Sequence, residues 1–261
     1  MPYAGPNDEL FYDDVGSGPA LLFIPGFGGV GSFWNAQKRF FQSRFRVITV
    51  DHRGTGASAR SKGAYSLEQM SDDARLVLDA ADVGEVILVG HSTGGAIAQI
   101  LAATMPDRVK KSVLSSTWCK TGNYFRRVFE FRRTLLERGE LDLFHKSGVF
   151  FRYSPDYADN HDDVFESDNA LDVDITISRI DAILQSDTME YASRIATPTL
   201  VMAVADDSLV PPFLTRAVAR AIAHAQYVAL DRGGHYFPIT RSDKFNQVLD
   251  EFLSSQTVSM S

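Results

Sequence analysis

A serine set between two glycines, in Gly90-His91-Ser92-Thr93-Gly94, is the residue of this chain best placed to do chemistry. A serine hydroxyl is a weak nucleophile until a base takes its proton and an acid orients that base. The chemistry indicated is attack on an acyl carbon. The G-x-S-x-G spacing fits a sharp strand-to-helix turn, because residues two before and two after the serine must have almost no side chain. Val86-Ile87-Leu88-Val89 reads as the buried strand before the turn, and Ala96-Ile97-Ala98-Gln99-Ile100-Leu101-Ala102 as the helix after it. Such a turn lifts the hydroxyl above a helix amino terminus, where peptide N–H groups and the helix dipole favour negative charge.

The base should be a histidine, and the chain offers His52, His91, His145, His161, His224 and His235. His91 adjoins the serine, but consecutive residues of a tight turn point apart, so it is expected to pack. His145 and His161 lie in an irregular region, and His224 is expected on a surface helix. His235, in Asp231-Arg232-Gly233-Gly234-His235-Tyr236-Phe237-Pro238 after the last strand, is the leading base. The acid should fall between serine and histidine. Asp206 and Asp207 both follow the strand Thr199-Leu200-Val201-Met202-Ala203. Asp207 is preferred because Asp207-Ser208-Leu209-Val210-Pro211 turns the chain back over the sheet, which leaves Asp206 solvated or capping a helix. Two peptide N–H groups should face the oxyanion of a tetrahedral intermediate. Thr93 supplies one, and Phe27, flanked by Gly26 and Gly28 in a loop after the first buried strand, the other.

The elements that must carry these residues alternate. Ala20-Leu21-Leu22-Phe23-Ile24 and Arg46-Val47-Ile48-Thr49-Val50 read as strands buried on both faces. A helix should carry Phe33, Gln37, Phe40 and Phe41 on one side. Leu67, Met70, Ala74, Val77, Leu78 and Ala81 mark a long amphipathic helix, and Phe245, Val248, Leu249 and Phe252 a final one. Strand and helix alternation predicts an α/β fold, a mainly parallel sheet with helices on both faces. Each singled-out motif falls at the carboxyl end of a strand, where sites form in such sheets. Residues from about 121 to 194 break the alternation and look helical, with acidic residues (Asp156, Asp159, Asp162, Asp163, Glu166, Asp168, Asp172 and Asp174) expected to form a solvated face.

The 261 residues, 44% hydrophobic and 23% charged, describe an ordinary globular chain, and the net charge of −7 argues against nucleic acid or anionic membrane as main partner. The chain begins without a signal-peptide pattern, and no apolar stretch approaches bilayer length. One cysteine, Cys119, excludes an internal disulfide and is expected to be a small buried hydrophobe. A cytoplasmic protein is expected, needing neither metal nor cofactor and acting on a small molecule, with a homodimer left open.

These residues resemble the α/β-hydrolase family over essentially the whole chain. Gly90-His91-Ser92-Thr93-Gly94 matches its elbow, Asp51-His52-Arg53-Gly54-Thr55-Gly56-Ala57-Ser58 its D-x-R-G-x-G-x-S loop, and Asp207 to Pro211 with Gly234-His235 its acid and histidine segments. Pro25-Gly26 stands where many members have His-Gly. The resemblance implies an α/β-hydrolase core over 1–120 and 195–261, with 121–194 inserted as a helical cap. Within the family the chain is most similar to aminoacrylate hydrolases and 3-oxoadipate enol-lactonases, through Pro25-Gly26-Phe27-Gly28-Gly29, Ala205-Asp206-Asp207-Ser208, Trp118 and Arg179-Ile180-Asp181-Ala182-Ile183. That likeness implies a small ester, lactone, amide or carbamate substrate. Trp118 is a candidate pocket wall or core residue. Arg179 is a candidate partner for a substrate carboxylate, although an ion pair with the nearby aspartates is favoured. The stripe of Phe125, Phe129 and Phe144 reads as helix packing.

The expected function is a cofactor-independent serine hydrolase with Ser92, His235 and Asp207 as triad. A carbon–carbon bond hydrolase, an acyltransferase or perhydrolase, or a slow-turnover ligand sensor could use the same residues. A dinucleotide-binding reading of Gly26-Phe27-Gly28-Gly29-Val30-Gly31 fails on spacing.

Overall fold

The computed structural model describes residues 2–7, 9–61, 63–166 and 171–255. Asp168 of the acidic run and the serine- and threonine-containing end of the chain from residue 256 lie outside them. Eight strands form one sheet: β1 (Tyr3–Ala4), β2 (Leu10–Val15), β3 (Ala20–Ile24), β4 (Arg46–Val50), β5 (Val86–His91), β6 (Val109–Ser115), β7 (Thr199–Val204) and β8 (Gln226–Leu230), in the order β1-β2-β4-β3-β5-β6-β7-β8. β1 and β2 pair antiparallel at one edge, and the six strands from β3 onward run parallel.

The apolar runs of the central strands are continuous because both faces are covered. Leu22, Ile24, Ile48, Val50, Leu88, Leu114 and Val201 point to one face, and Leu21, Phe23, Val47, Val89, Val113, Leu200 and Met202 to the other. Between the strands run α1 (Asn35–Phe41), α2 (Leu67–Ala80) and α3 (Thr93–Thr104). The first face packs on α2 and α3, through Met70, Ala74, Val77, Leu78, Ala96, Ile97, Ile100 and Leu101. The second packs on Trp34, Phe41, Phe245, Leu249 and Phe252. α2 opens where Ser66 Oγ accepts from the Gln69 N–H at 3.1 Å, an N-cap. α1 follows a tight 3₁₀ turn, Gly31–Trp34, and Phe40 is 45% exposed, because the stripe reaching the core runs through Trp34, Gln37 and Phe41.

Between β6 and β7 the chain passes through α4 (Asn123–Glu137), α5 (Leu141–Arg152), α6 (Pro155–Asp159), α7 (Val173–Gln185) and α8 (Met189–Arg194). The two ends of this insertion are tied to each other, the Thr188 N–H donating to the Cys119 carbonyl at 2.7 Å. α9 (Pro212–Ala221), α10 (Phe237–Thr240) and α11 (Ser242–Ser254) complete the chain. His224 lies beyond α9, in a turn with φ 65°, and not on the helix expected to carry it. Among the described residues no helix is long and apolar enough to cross a membrane.

Candidate active site

Ser92 sits where β5 turns into α3, with φ 56° and ψ −120°. A non-glycine residue held there stores on the order of 1–3 kcal/mol of strain and persists only where its surroundings fix it. They do so here. The Ser92 N–H donates to the Ser115 carbonyl at 2.8 Å, and the Ser92 carbonyl accepts from Thr117 Oγ1 at 2.7 Å. Gly90 and Gly94 are required by contact: a Cβ on Gly90 would stand 2.8 Å from Gly95 Cα, and one on Gly94 would overlap the Ile24 carbonyl oxygen.

β7 and β8 lead into the loops that carry the candidate acid and the candidate base. His235 Nδ1 donates to Asp207 Oδ2 at 2.8 Å, and both side chains are buried. Asp207 Oδ1 accepts from the N–H groups of Leu209 (2.9 Å) and Val210 (2.8 Å), which fixes the carboxylate on the turn that Pro211 closes. With Nδ1 as donor to a carboxylate, the imidazole presents Nε2 as its basic atom. Asp206 is exposed, as expected of a solvated residue, and caps no helix, but it also makes contacts of its own. Its two oxygens accept from the N–H groups of Gly233 (3.1 Å) and Gly234 (2.9 Å), so it anchors the loop that carries His235. The adjacent aspartates in one loop and paired glycines in the other were the available signal.

The loop from Pro25 to Gly29 passes directly over the serine, since a Cβ on Gly26 would lie 3.1 Å from Ser92 Cβ. It is braced by the segment after β4. The His52 N–H donates to the Gly29 carbonyl at 2.7 Å, and His52 Nε2 donates to the Pro25 carbonyl at 2.9 Å. Burial, together with the nearby Arg179 charge, holds the His52 imidazole neutral, its pKa lowered to about 3. Asp51 accepts from the N–H groups of Gly31 (2.7 Å) and Ala57 (2.8 Å), and Thr55 Oγ1 donates to the Gly29 carbonyl at 2.8 Å. The D-x-R-G-x-G-x-S segment is therefore a brace for the loop over Ser92. Phe27 on that loop lines the cavity, and Thr93 opens α3, where first-turn N–H groups lack intrahelical acceptors.

Ser92 and His235 open onto one cavity of about 620 Å³, walled by the 25–29 loop, the 54–56 turn and the inserted helices α4, α5 and α7. His91 packs beside them, its ring stacked on Phe33 at 5.1 Å and 4.6 Å from the His235 ring. Burial, then the neighbouring His235, pushes its pKa well below the ordinary histidine value. Of the two places open to Trp118, pocket wall or core, it occupies the core. It is fully buried, its indole N–H donates to Ser186 Oγ at 2.9 Å, its ring lies against Phe125, and it is not among the cavity-lining residues. An aromatic series carries this packing to the cavity, from Phe125 to Phe129 and from Phe129 to Phe27. Phe129 and Phe144 line the cavity, whereas Phe125 stays behind them. Cys119 is buried, and that burial pushes its thiol pKa up.

Arg179, on α7, lines the cavity although it is only 3% exposed. The ion pair expected with the aspartates does not form among the described residues. Its Nε, Nη1 and Nη2 are all buried without a hydrogen-bond partner, and its guanidinium lies 5.8 Å from the Phe27 ring. Burial lowers its pKa to about 10, which leaves it charged at neutral pH.

The model of the alpha/beta hydrolase fold family matches residues 19–242. A protein of Azorhizobium caulinodans named as the carbamate hydrolase RutD is 34% identical over 256 residues, covering 95% of this chain and 97% of the relative. The crystal structure of the enol-lactonase from Burkholderia xenovorans LB400 superposes with a TM-score of 0.87 at 27% identity, covering 94% of this chain and 96% of that one. A malate-bound structure of a thermophilic esterase from Thermogutta terrifontis gives a TM-score of 0.83 at 25% identity, covering 94% and 92%.

Proposed function

The chain belongs to the α/β-hydrolase fold family and is a hydrolase, and on that footing we propose that it works as a cofactor-independent serine hydrolase on a small, carboxylate-bearing ester, lactone, amide or carbamate. The observation that carries the mechanism is the buried Asp207–His235 pair at 2.8 Å, facing the same cavity as a serine at φ 56°. Ser92 Oγ attacks the acyl carbon while His235 Nε2 takes its proton, and Asp207 holds the imidazolium. The Phe27 and Thr93 amides stabilise the oxyanion. His235 then protonates the leaving group, and water, deprotonated by the same imidazole, releases the acyl-enzyme.

The carboxylate in the substrate is inferred from Arg179. A guanidinium taken out of water with no partner costs several kcal/mol, and a bound carboxylate offsets that cost through charge-assisted hydrogen bonds. The names of the relatives, a carbamate hydrolase and an enol-lactonase, fit an acyl transfer to water but leave the scissile bond open. A panel of aryl esters, enol-lactones, carbamates and amides, assayed on the wild type and on Ser92→Ala, tests the proposal. A loss of about a thousandfold or more in the alanine variant is expected, and activity persisting there overturns the mechanism. Arg179→Met should raise KM for carboxylate-bearing substrates far more than for neutral ones.

A further inference from the structure

The cavity holds a second cationic group that the proposed mechanism does not use. Arg132, on α4 one turn beyond Phe129, lines the cavity and is 8% exposed. Its guanidinium lies 4.2 Å over the Phe144 ring, and among the described residues its one hydrogen bond is a long one, Nη1 to the Phe144 carbonyl at 3.5 Å. Gly148 makes room for it, since a Cβ there would stand 2.8 Å from Arg132 Nη1. Arg152, also lining the cavity, donates from Nε to the Gly148 carbonyl at 3.0 Å and brings a second positive charge toward Arg132. Among the described residues neither arginine is ion-paired to a carboxylate. Two neighbouring guanidinium groups, one of them buried, call for an anion between them and solvent.

Arg132 and Arg179, on α4 and α7, abut different neighbours at the cavity wall. Arg179 abuts Gly29, where a Cβ would lie 2.5 Å from its Nη1. The guanidinium of Arg152, beside Arg132, lies 5.6 Å from the centre of the Tyr236 ring, and the Tyr236 hydroxyl lies 3.8 Å from the Cβ position of Gly28. Among the described residues, the carboxylates that line the cavity, on Glu166 and Asp172, are exposed and half-buried respectively.

We propose that Arg132, reinforced by Arg152, is a second anion-binding site, and that the substrate is a dicarboxylate whose scissile bond lies between its two charges. The proposal rests on the serine-hydrolase reading and extends it: one carboxylate meets Arg179, the other meets Arg132, and the reacting carbonyl is held over Ser92.

Four phenyl esters separate the two charges: phenyl butyrate, 4-carboxyphenyl butyrate, phenyl hydrogen glutarate and 4-carboxyphenyl hydrogen glutarate. In the wild type kcat/KM should rise about 10- to 100-fold for each added carboxylate. Arg132→Met should lose that gain for one of the two carboxylates and Arg179→Met for the other, with Arg132→Lys recovering part of it. An Arg132→Met variant that lowers all four esters by the same factor has lost packing only, and the proposal falls. Calorimetry on Ser92→Ala, with linear dicarboxylates of four to eight carbons against the matching monocarboxylates, reads binding without turnover. No dicarboxylate binding better than its monocarboxylate overturns the second site, whichever esters are cleaved. Ester hydrolysis surviving in Ser92→Ala removes the nucleophile assignment instead and leaves the calorimetric result standing.

Discussion

The main-chain oxygen of Arg152 accepts a hydrogen bond from the Tyr236 N–H at 2.8 Å, so the residue beside His235 is fastened to the end of α5. The inserted helices thus set the height of the imidazole as well as the cavity wall. Gly234 is where the two segments cross, with φ 65°, and a Cβ there would stand 2.5 Å from Ser154 N and 2.7 Å from the Tyr153 carbonyl carbon. Gly234→Ala should therefore push the histidine loop away from α5. A displacement of about 1 Å at a reacting group costs on the order of a hundredfold in rate, and the loss should appear in kcat more than in KM. Steady-state kinetics beside a thermal unfolding scan checks this; an unchanged kcat in a folded variant would show that the loop tolerates the shift.

The neighbouring aspartates predict opposite severities. Asp207→Asn leaves the shape of the turn but can reverse the imidazole tautomer, and a loss of about ten-thousandfold in kcat is expected by analogy with other triads. Asp206→Asn removes one charge from two loop amides and leaves the Asp207–His235 contact in place, so about tenfold is expected from loosened positioning. Comparing kcat for the two variants on one ester decides the assignment. A larger loss at 206 would exchange their roles.

The placement of Ser92 and His235 around one cavity, with Asp207 bound to His235, was legible because each follows a strand end with a local steric mark: paired glycines, a proline-closed turn, a double glycine. The parallel sheet was legible for a related reason, since strands covered on both faces write continuous apolar runs. The cavity wall left no such mark. Arg132 lies in a helix whose pattern reads as packing, and only the docking of α4 over the sheet turns its guanidinium inward. Arg179 looked like one half of an ion pair because aspartates crowd its sequence neighbourhood, yet its guanidinium is buried with no hydrogen-bond partner among the described residues even though Asp172 lines the same cavity. Trp118 had the strand-end placement of a site residue, and Phe125 and Ser186 enclosed it instead.

His52 predicts an acid sensitivity. Its pKa is lowered to about 3 from 6.5, first by burial and then by Arg179. Below about pH 6.5 the unfolded chain takes up the proton and the folded chain does not, so stability is lost as pH falls through this window. Between pH 7 and pH 5 the loss from this one group is about 2 kcal/mol. His91, also buried and lowered, acts in the same direction. Urea unfolding at the two pH values should show His52→Asn to be less acid-sensitive than the wild type by about that amount. An identical pH dependence would mean that the folded protein protonates His52 readily.

Gly29 predicts a coupling between the loop over Ser92 and substrate charge. It holds φ 74°, and a Cβ would stand 2.5 and 2.7 Å from the Arg179 Nη atoms and 2.7 Å from Thr55 Oγ1. Thr55 is pinned to the Gly29 and His52 carbonyls, so the guanidinium is the group that must yield. Gly29→Ala should therefore reduce the preference over phenyl butyrate for whichever singly charged ester (phenyl hydrogen glutarate or 4-carboxyphenyl butyrate) loses its advantage in Arg179→Met, by about tenfold or more, the scale of one charge-assisted hydrogen bond. Any general slowing from a disturbed loop cancels in that ratio. Because Arg179→Met removes the same contact, the double variant should show no further loss of preference beyond the single arginine variant, a non-additivity that a double-mutant cycle measures directly. Additive losses would mean that Gly29 acts on the substrate by a route other than Arg179.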